Sequence, residues 1–232
     1  MVERQRLQHD VVTRQPHALE ERRAATPGQR TIEPSVRGGG PGLQDGQTTR
    51  EVGVGTTVPV RVRWAVEVLD PQPGEHVLEV GCGPGAAAEL VCPRLGDGHL
   101  LAVDRSPVAV ARTLARCAPH VAAGRLQVTQ AELSGLDLPR GALDAAFCVD
   151  VNVFWTGPAS RELAALRAGL RAGGRLLVLY GAGPTASERL VDRVAAALRE
   201  GGFDEVEVLT SPDGCGVRGR VPGSPERLRA GG

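Results

Sequence analysis

The stretch Val77-Leu-Glu-Val-Gly-Cys-Gly-Pro-Gly85 constrains the fold more than any other part of the chain. An apolar run with one acid near its end passes there into three glycines at alternating positions. Apolar residues bounded by turn residues read as a buried strand, His76–Val80, and the alanines and leucine at 86–90 read as a helix opened by the turn. Glycine suits such a turn because tight turns demand positive φ and because a missing β-carbon lets a ligand approach the backbone. In a doubly wound sheet these turns lie at the carboxyl edge, where ligands bind.

The chain after Pro59 repeats the same alternation of apolar runs and Ala/Leu/Arg-rich periodic segments. Val62–Leu69 reads as a lead-in helix stopped by Asp70-Pro71. The second strand is His99–Asp104, and Ser106-Pro107 then caps a helix over Val108–Cys117. Arg125–Gln130 and Ala145–Val149 are strands three and four. A helix over Ala159–Arg171 carries Leu163, Leu166 and Leu170 on one face and is closed by Gly173-Gly174. Strand five is Arg175–Tyr180. Thr185 to Glu188 has capping-box spacing before a helix that turns Leu190, Val191, Val194 and Leu198 inward, and Phe203–Leu209 and Gly216–Val221 complete the strands. The expected fold is therefore α/β: a doubly wound, Rossmann-like, mostly parallel sheet with helices on both faces. Residues 1–55 combine charges, glutamines, prolines and Gly38-Gly39-Gly40 without apolar periodicity, and are expected to be a disordered N-terminal tail. Residues 56–221 are the expected domain and 222–232 a C-terminal tail.

Composition removes several chemistries. All basic residues are arginine, so a lysine nucleophile, a Schiff base and a P-loop lysine are excluded. Acidic and basic residues balance at 27 each, which gives no overall field toward nucleic acid or anionic membrane. No run approaches the roughly 20 apolar residues of a membrane span, and residues 1–30 lack the apolar core of a secretory signal, so a cytoplasmic location is expected. The five cysteines form no C-x-x-C pair and the five histidines have no ligand spacing, so no metal is expected.

Acids at the ends of consecutive strands, Glu79 and Asp104, point to a nucleoside ligand, because Asp104 can accept two hydrogen bonds from a ribose diol. On these residues the sequence resembles the class I S-adenosylmethionine-dependent methyltransferases, from about Val62 to Val208. The acid two before G-x-G-x-G stands here as Glu79, Gly81, Gly83 and Gly85. The resemblance implies S-adenosylmethionine as cofactor: Glu79 facing its amino group, the Gly81-Cys82-Gly83 backbone lining it, Asp104 on the ribose and Arg105 flanking the adenine. It also implies that Ala131 and Glu132 read the adenine amino group, with Glu132 where the family more often has Asp, and that Cys148 and Val149 lie near the cofactor. Two other readings stay open. Gly81, Gly83 and Ala86 also satisfy the G-x-G-x-x-G/A of NAD(P)-dependent oxidoreductases, although a carboxylate at Glu79 would repel a pyrophosphate and favour a sulfonium. The other is a non-catalytic S-adenosylmethionine-binding protein.

Methyl transfer from a sulfonium is an in-line displacement on an activated carbon, so positioning supplies much of the rate and no base is obligatory. Asp150-Val-Asn-Val-Phe-Trp155 follows strand four at the carboxyl edge, which makes Asn152, Phe154 and Trp155 candidates for the acceptor pocket. Tyr180, at the end of strand five, is a fourth, and Asp150 is a candidate base. With six aromatic residues in the chain, stacking on nucleic acid is disfavoured and a small-molecule acceptor is expected. The oligomeric state is not encoded in any feature of the sequence.

Overall fold

Strands whose side chains are buried on both faces must lie between layers of helices, and β1 (His76–Val80) and β2 (His99–Asp104) are of this kind. The structure, a computed structural model, describes residues 57–157, 159–183 and 188–223. In chain order β1 is preceded by α1 (Val60–Leu69) and followed by α2 (Ala86–Val91); β2 is followed by α3 (Pro107–Arg116), α4 (Ala118–Ala122) and β3 (Leu126–Gln130). The second half comprises β4 (Leu143–Val149), α5 (Val153–Thr156), α6 (Ser160–Gly169), β5 (Leu170–Gly181), α7 (Glu188–Glu200), β6 (Asp204–Ser211) and β7 (Gly214–Arg220).

The strands form one sheet in the order β3-β2-β1-β4-β5-β7-β6. Pairings from β3 through to β5 are parallel, whereas β7 lies antiparallel between β5 and β6. Alternation along each strand divides the core between the two faces. Val77, Leu100, Ala102, Phe147 and Leu177 meet α1 and α2 on one side, while Leu78, Val80, Val103, Ala146 and Val178 meet α6 and α7 on the other. The expected doubly wound sheet is thus present, with a reversed strand near one edge. The order reverses direction between β1 and β4, and that switch point opens the crevice in which such sheets hold ligands.

Local chemistry accounts for most element ends. Ser106 Oγ accepts from the Ala109 amide and Pro107 takes the first helical position of α3, as expected. Arg175 reaches from β5 to hold both carboxylate oxygens of Glu75 at 2.6 and 2.7 Å and the Leu69 carbonyl at 3.2 Å, which fastens the end of α1 to the sheet. One expected boundary changes. The helix stops at Gly169, and Gly173-Gly174 lie inside β5, where Leu143 pairs with Leu170 but Ala145 with Arg175. The intervening residues bulge out of the ladder, and Gly173 supplies the positive φ of 74° that this requires. The short helices α4 and α5 were not expected. The proposed tail over 1–55, the capping box beginning at Thr185 and most of the C-terminal tail over 222–232 fall outside the described residues.

Candidate functional site

The turn after β1 is fixed from both neighbours. Gly81 and Cys82 donate their amides to the Val103 carbonyl of β2, at 2.8 and 3.1 Å, and Gly85 closes the turn onto the Cys82 carbonyl at 3.0 Å. All three glycines have positive φ, of 74°, 53° and 77°. Their reasons differ: a β-carbon on Gly85 would come within 3.0 Å of the Thr113 backbone, whereas one on Gly83 would meet nothing within 4 Å among the described residues. Gly85 is small for packing. Gly83 keeps free space beside its backbone, the cradle that a ligand fills. Thr113, buried on α3, donates to the Gly83 carbonyl at 2.9 Å and also lies 3.4 Å from Cys82 Sγ.

Asp104 ends β2 with its carboxylate spread between two amides: Oδ2 accepts from Gly83 at 2.9 Å and Oδ1 from Ser106 at 2.9 Å. Each oxygen retains a lone pair, so the group is oriented yet free to accept from a diol. Glu79 lies deeper, 4% exposed, on the face of β1 shared with Val77, and its Oε2 has no hydrogen-bond partner among the described residues. Burial, helped by the Asp104 carboxylate, pushes its carboxyl up to about 8. A buried acid with an unsatisfied oxygen beneath a ligand cradle suits a cationic group, which would supply the missing donor.

A cavity of about 580 Å³ opens over the carboxyl ends of β1, β2 and β4. Of the residues singled out from the sequence, Gly81, Asp104, Arg105, Ala131, Glu132, Val149, Asp150 and Asn152 line it. Glu79, Cys82, Gly83 and Cys148 are not among its lining residues, and Glu79, Cys82 and Cys148 are buried. Three aromatic candidates lie elsewhere. Phe154 is 1% exposed in the core under α6 and α7, and Tyr180 is buried in the same core with its hydroxyl donating to the Val151 carbonyl at 3.2 Å. Trp155 packs against that core and donates its indole N–H to Asn152 Oδ1 at 3.3 Å, which makes it a support for Asn152. Asp150, the candidate base, has both oxygens engaged: Oδ2 accepts from Arg61 Nε at 2.8 Å and Oδ1 from the Gly181 amide at 2.9 Å. It adopts a φ of 58°, and it ties α1 to the end of β5. Thr113, Arg61, Ser134, Thr156 and Glu162 were not anticipated. A threonine among the apolar positions of α3 was a readable hint; the others are brought in by tertiary contact.

The cavity walls carry Asp104, Glu132, Asp150 and Glu162 against Arg105. That balance opposes a pyrophosphate and suits a sulfonium and an ammonium. Residues 77–174 match the family model described as a methyltransferase domain. Over these residues the chain is similar to the class I S-adenosylmethionine-dependent methyltransferases. A ribosomal protein L11 methyltransferase of Cupriavidus necator is 35% identical over 136 residues, 59% of this chain and 39% of the relative. A ribosomal RNA small subunit methyltransferase H of Rhizobium rhizogenes is 32% identical over 110 residues, 47% of this chain and 31% of the relative. The chain therefore spans about two fifths or less of these relatives. Among solved structures, a methyltransferase from Aquifex aeolicus superposes with a TM-score of 0.58 at 19% identity, covering 69% of this chain and 89% of that one, which shows the shared fold. This similarity implies S-adenosylmethionine as cofactor, and Gly83, Asp104 and Glu79 fit it. Among the described residues no His/Cys/Asp/Glu cluster suits a metal and no helix is long and apolar enough to cross a membrane.

Proposed function

We infer that the protein transfers a methyl group from S-adenosylmethionine to a small-molecule acceptor bound in the cavity over β1, β2 and β4. The observation that carries this reading is the conjunction of the open cradle at Gly83, the backbone-oriented Asp104 carboxylate and the buried Glu79 with an unsatisfied oxygen. The cofactor supplies an electrophilic methyl group on a sulfonium, and the residues supply position. In this reading Asp104 accepts from the ribose hydroxyls, Arg105 flanks the adenine and Ala131 with Glu132 faces its amino group. Glu79 gives up its proton and takes a hydrogen bond from the ammonium. Val149 borders the methyl group. Asn152, aimed by Trp155, orients the acceptor, while Asp150 keeps α1 fastened beside it. The acceptor's nucleophilic atom forms its bond to the methyl carbon as the carbon–sulfur bond breaks, and its proton passes to water. No base is needed for an acceptor already carrying a lone pair.

The two relatives named above are by name a ribosomal protein methyltransferase and a ribosomal RNA methyltransferase; among the described residues the cavity walls are acidic with a single arginine, which argues against the phosphate backbone of RNA. A concave site with a few polar groups suits a small acceptor. Mass spectrometry of the ligand that copurifies with the protein, followed by a screen for demethylated cofactor with small molecules, peptides and RNA as acceptors, tests the proposal. Binding of NAD(H) without S-adenosylmethionine would overturn it. Turnover confined to RNA or protein would overturn the small-molecule assignment alone.

A further inference from the structure

At the opposite edge of the sheet, where β4 and β5 begin, a second cavity of about 490 Å³ is bordered by Arg140, Arg167 and Arg171. Among the described residues no acidic side chain lines it. Two of its guanidinium groups are held in place without a ligand. Arg171 donates Nε to Asp144 Oδ1 at 2.6 Å and Nη1 to the Ala172 carbonyl at 3.2 Å, and Arg167 donates Nε to the Gly202 carbonyl at 3.0 Å. Among the described residues neither Arg140 nor Arg167 has a carboxylate partner. Asp144 is buried under Arg171, and its second oxygen accepts from the His76 amide at 2.8 Å, so it offsets at most one of the three charges. Three like charges around one hollow repel, and an anion relieves that repulsion. Small residues at Ala164, Ala168 and Gly201 leave the hollow open.

We propose that this cavity binds the phosphate group of a small molecule, either inorganic phosphate or a phosphomonoester, at a site separate from the methyl-transfer cavity. Guanidinium forks match phosphate oxygens in pairs; the Nε anchor of Arg167 leaves its two terminal amino groups to do so, and Arg171 adds Nη2. The three arginines line one concavity, which fits one phosphate better than a polynucleotide backbone. β4 has seven residues, so the two cavities are roughly 20 Å apart at about 3.3 Å per residue, and the ligands do not compete.

Calorimetry on the full chain at fixed ionic strength, with inorganic phosphate and glycerol 3-phosphate as probes, tests this. The wild type binds with a dissociation constant below about 1 mM, and the double variant Arg140→Gln, Arg167→Gln binds at least about tenfold more weakly, with S-adenosylmethionine affinity unchanged. Tighter binding of the ester identifies a phosphomonoester ligand; equal or weaker binding identifies the free ion. Arg140→Gln alone, which breaks no anchor, weakens binding severalfold even where the double variant fails to fold. Absence of binding at about 10 mM, affinity unchanged in Arg140→Gln, or tighter binding of an RNA oligonucleotide than of either probe overturns the proposal.

Discussion

Replacing Glu79 by glutamine keeps the shape of the side chain under the glycine turn and removes its titration. In the folded protein this carboxyl is pushed up to about 8, whereas in the unfolded chain it ionises near 4.5. A raised carboxyl stabilises the fold fully below 4.5, and that contribution is lost as pH rises toward 8, because the unfolded chain gains an ionisation that the folded state resists. The loss is about 1.4 kcal/mol per pH unit, or about 2 to 3 kcal/mol between pH 5.5 and 7.5. Glutamine has no such slope. It leaves an amide unbonded in a buried place at a cost of about 1 to 3 kcal/mol, which does not vary with pH. The sign of the difference at one pH is therefore uninformative, and its change with pH carries the test. Denaturant melts at pH 5.5 and 7.5 should show the variant gaining about 2 to 3 kcal/mol relative to the wild type, or about 5 to 10 °C in melting midpoint for a domain of this size. Cofactor binding should show the same proton: wild-type affinity rises up to about tenfold per pH unit from 6 toward 8 as binding ionises Glu79, and the variant's does not. Parallel stability curves for the two proteins would refute the claim that this carboxyl is neutral in the fold.

Asp104→Ala should weaken S-adenosylmethionine by about 2 to 4 kcal/mol in calorimetry, and should also lower the melting point, because the Gly83 and Ser106 amides lose their acceptor. Gly85→Ala forces a β-carbon against Thr113 at a φ of 77°, so denaturant unfolding should register a loss of about 1 to 3 kcal/mol. Arg175→Met strands Glu75 among buried groups and should cost about 3 to 5 kcal/mol in the same assay. Burial pushes the thiols of Cys82, Cys92 and Cys148 up to about 12 and that of Cys117 up to about 11, so a chromogenic disulfide reagent at pH 8 should titrate at most Cys215 rapidly, and all five only after denaturation.

What was legible in the sequence follows from the range of the interactions involved. The glycine turn, Asp104 and the Ser106-Pro107 cap act within a few residues of themselves, and spacing and residue type place them. The extension of β5 back to Leu170 depends on pairing with Leu143, a contact made only once the sheet exists. Asp150 reads as a free acid at a strand end until Arg61, 89 positions away, arrives to bind it. Phe154 and Trp155 differ by one residue on a four-residue helix, so one enters the core and the other supports Asn152; no sequence period over so short a span separates the two.

The reversed placement of β7 has a consequence for biosynthesis. Among the described residues β6 pairs only with β7, and β7 joins β6 to the apolar edge of β5. The ribosome releases β6 first, so β6 has no neighbour until the Ser211–Gly214 turn folds β7 back along it, and Leu176 to Leu179 lack their outer neighbour until the pair docks. The two strands must join the sheet as one hairpin. A nascent chain stalled before Arg220 therefore displays an open, hydrophobic strand edge, the surface on which chains join one another and on which chaperones act.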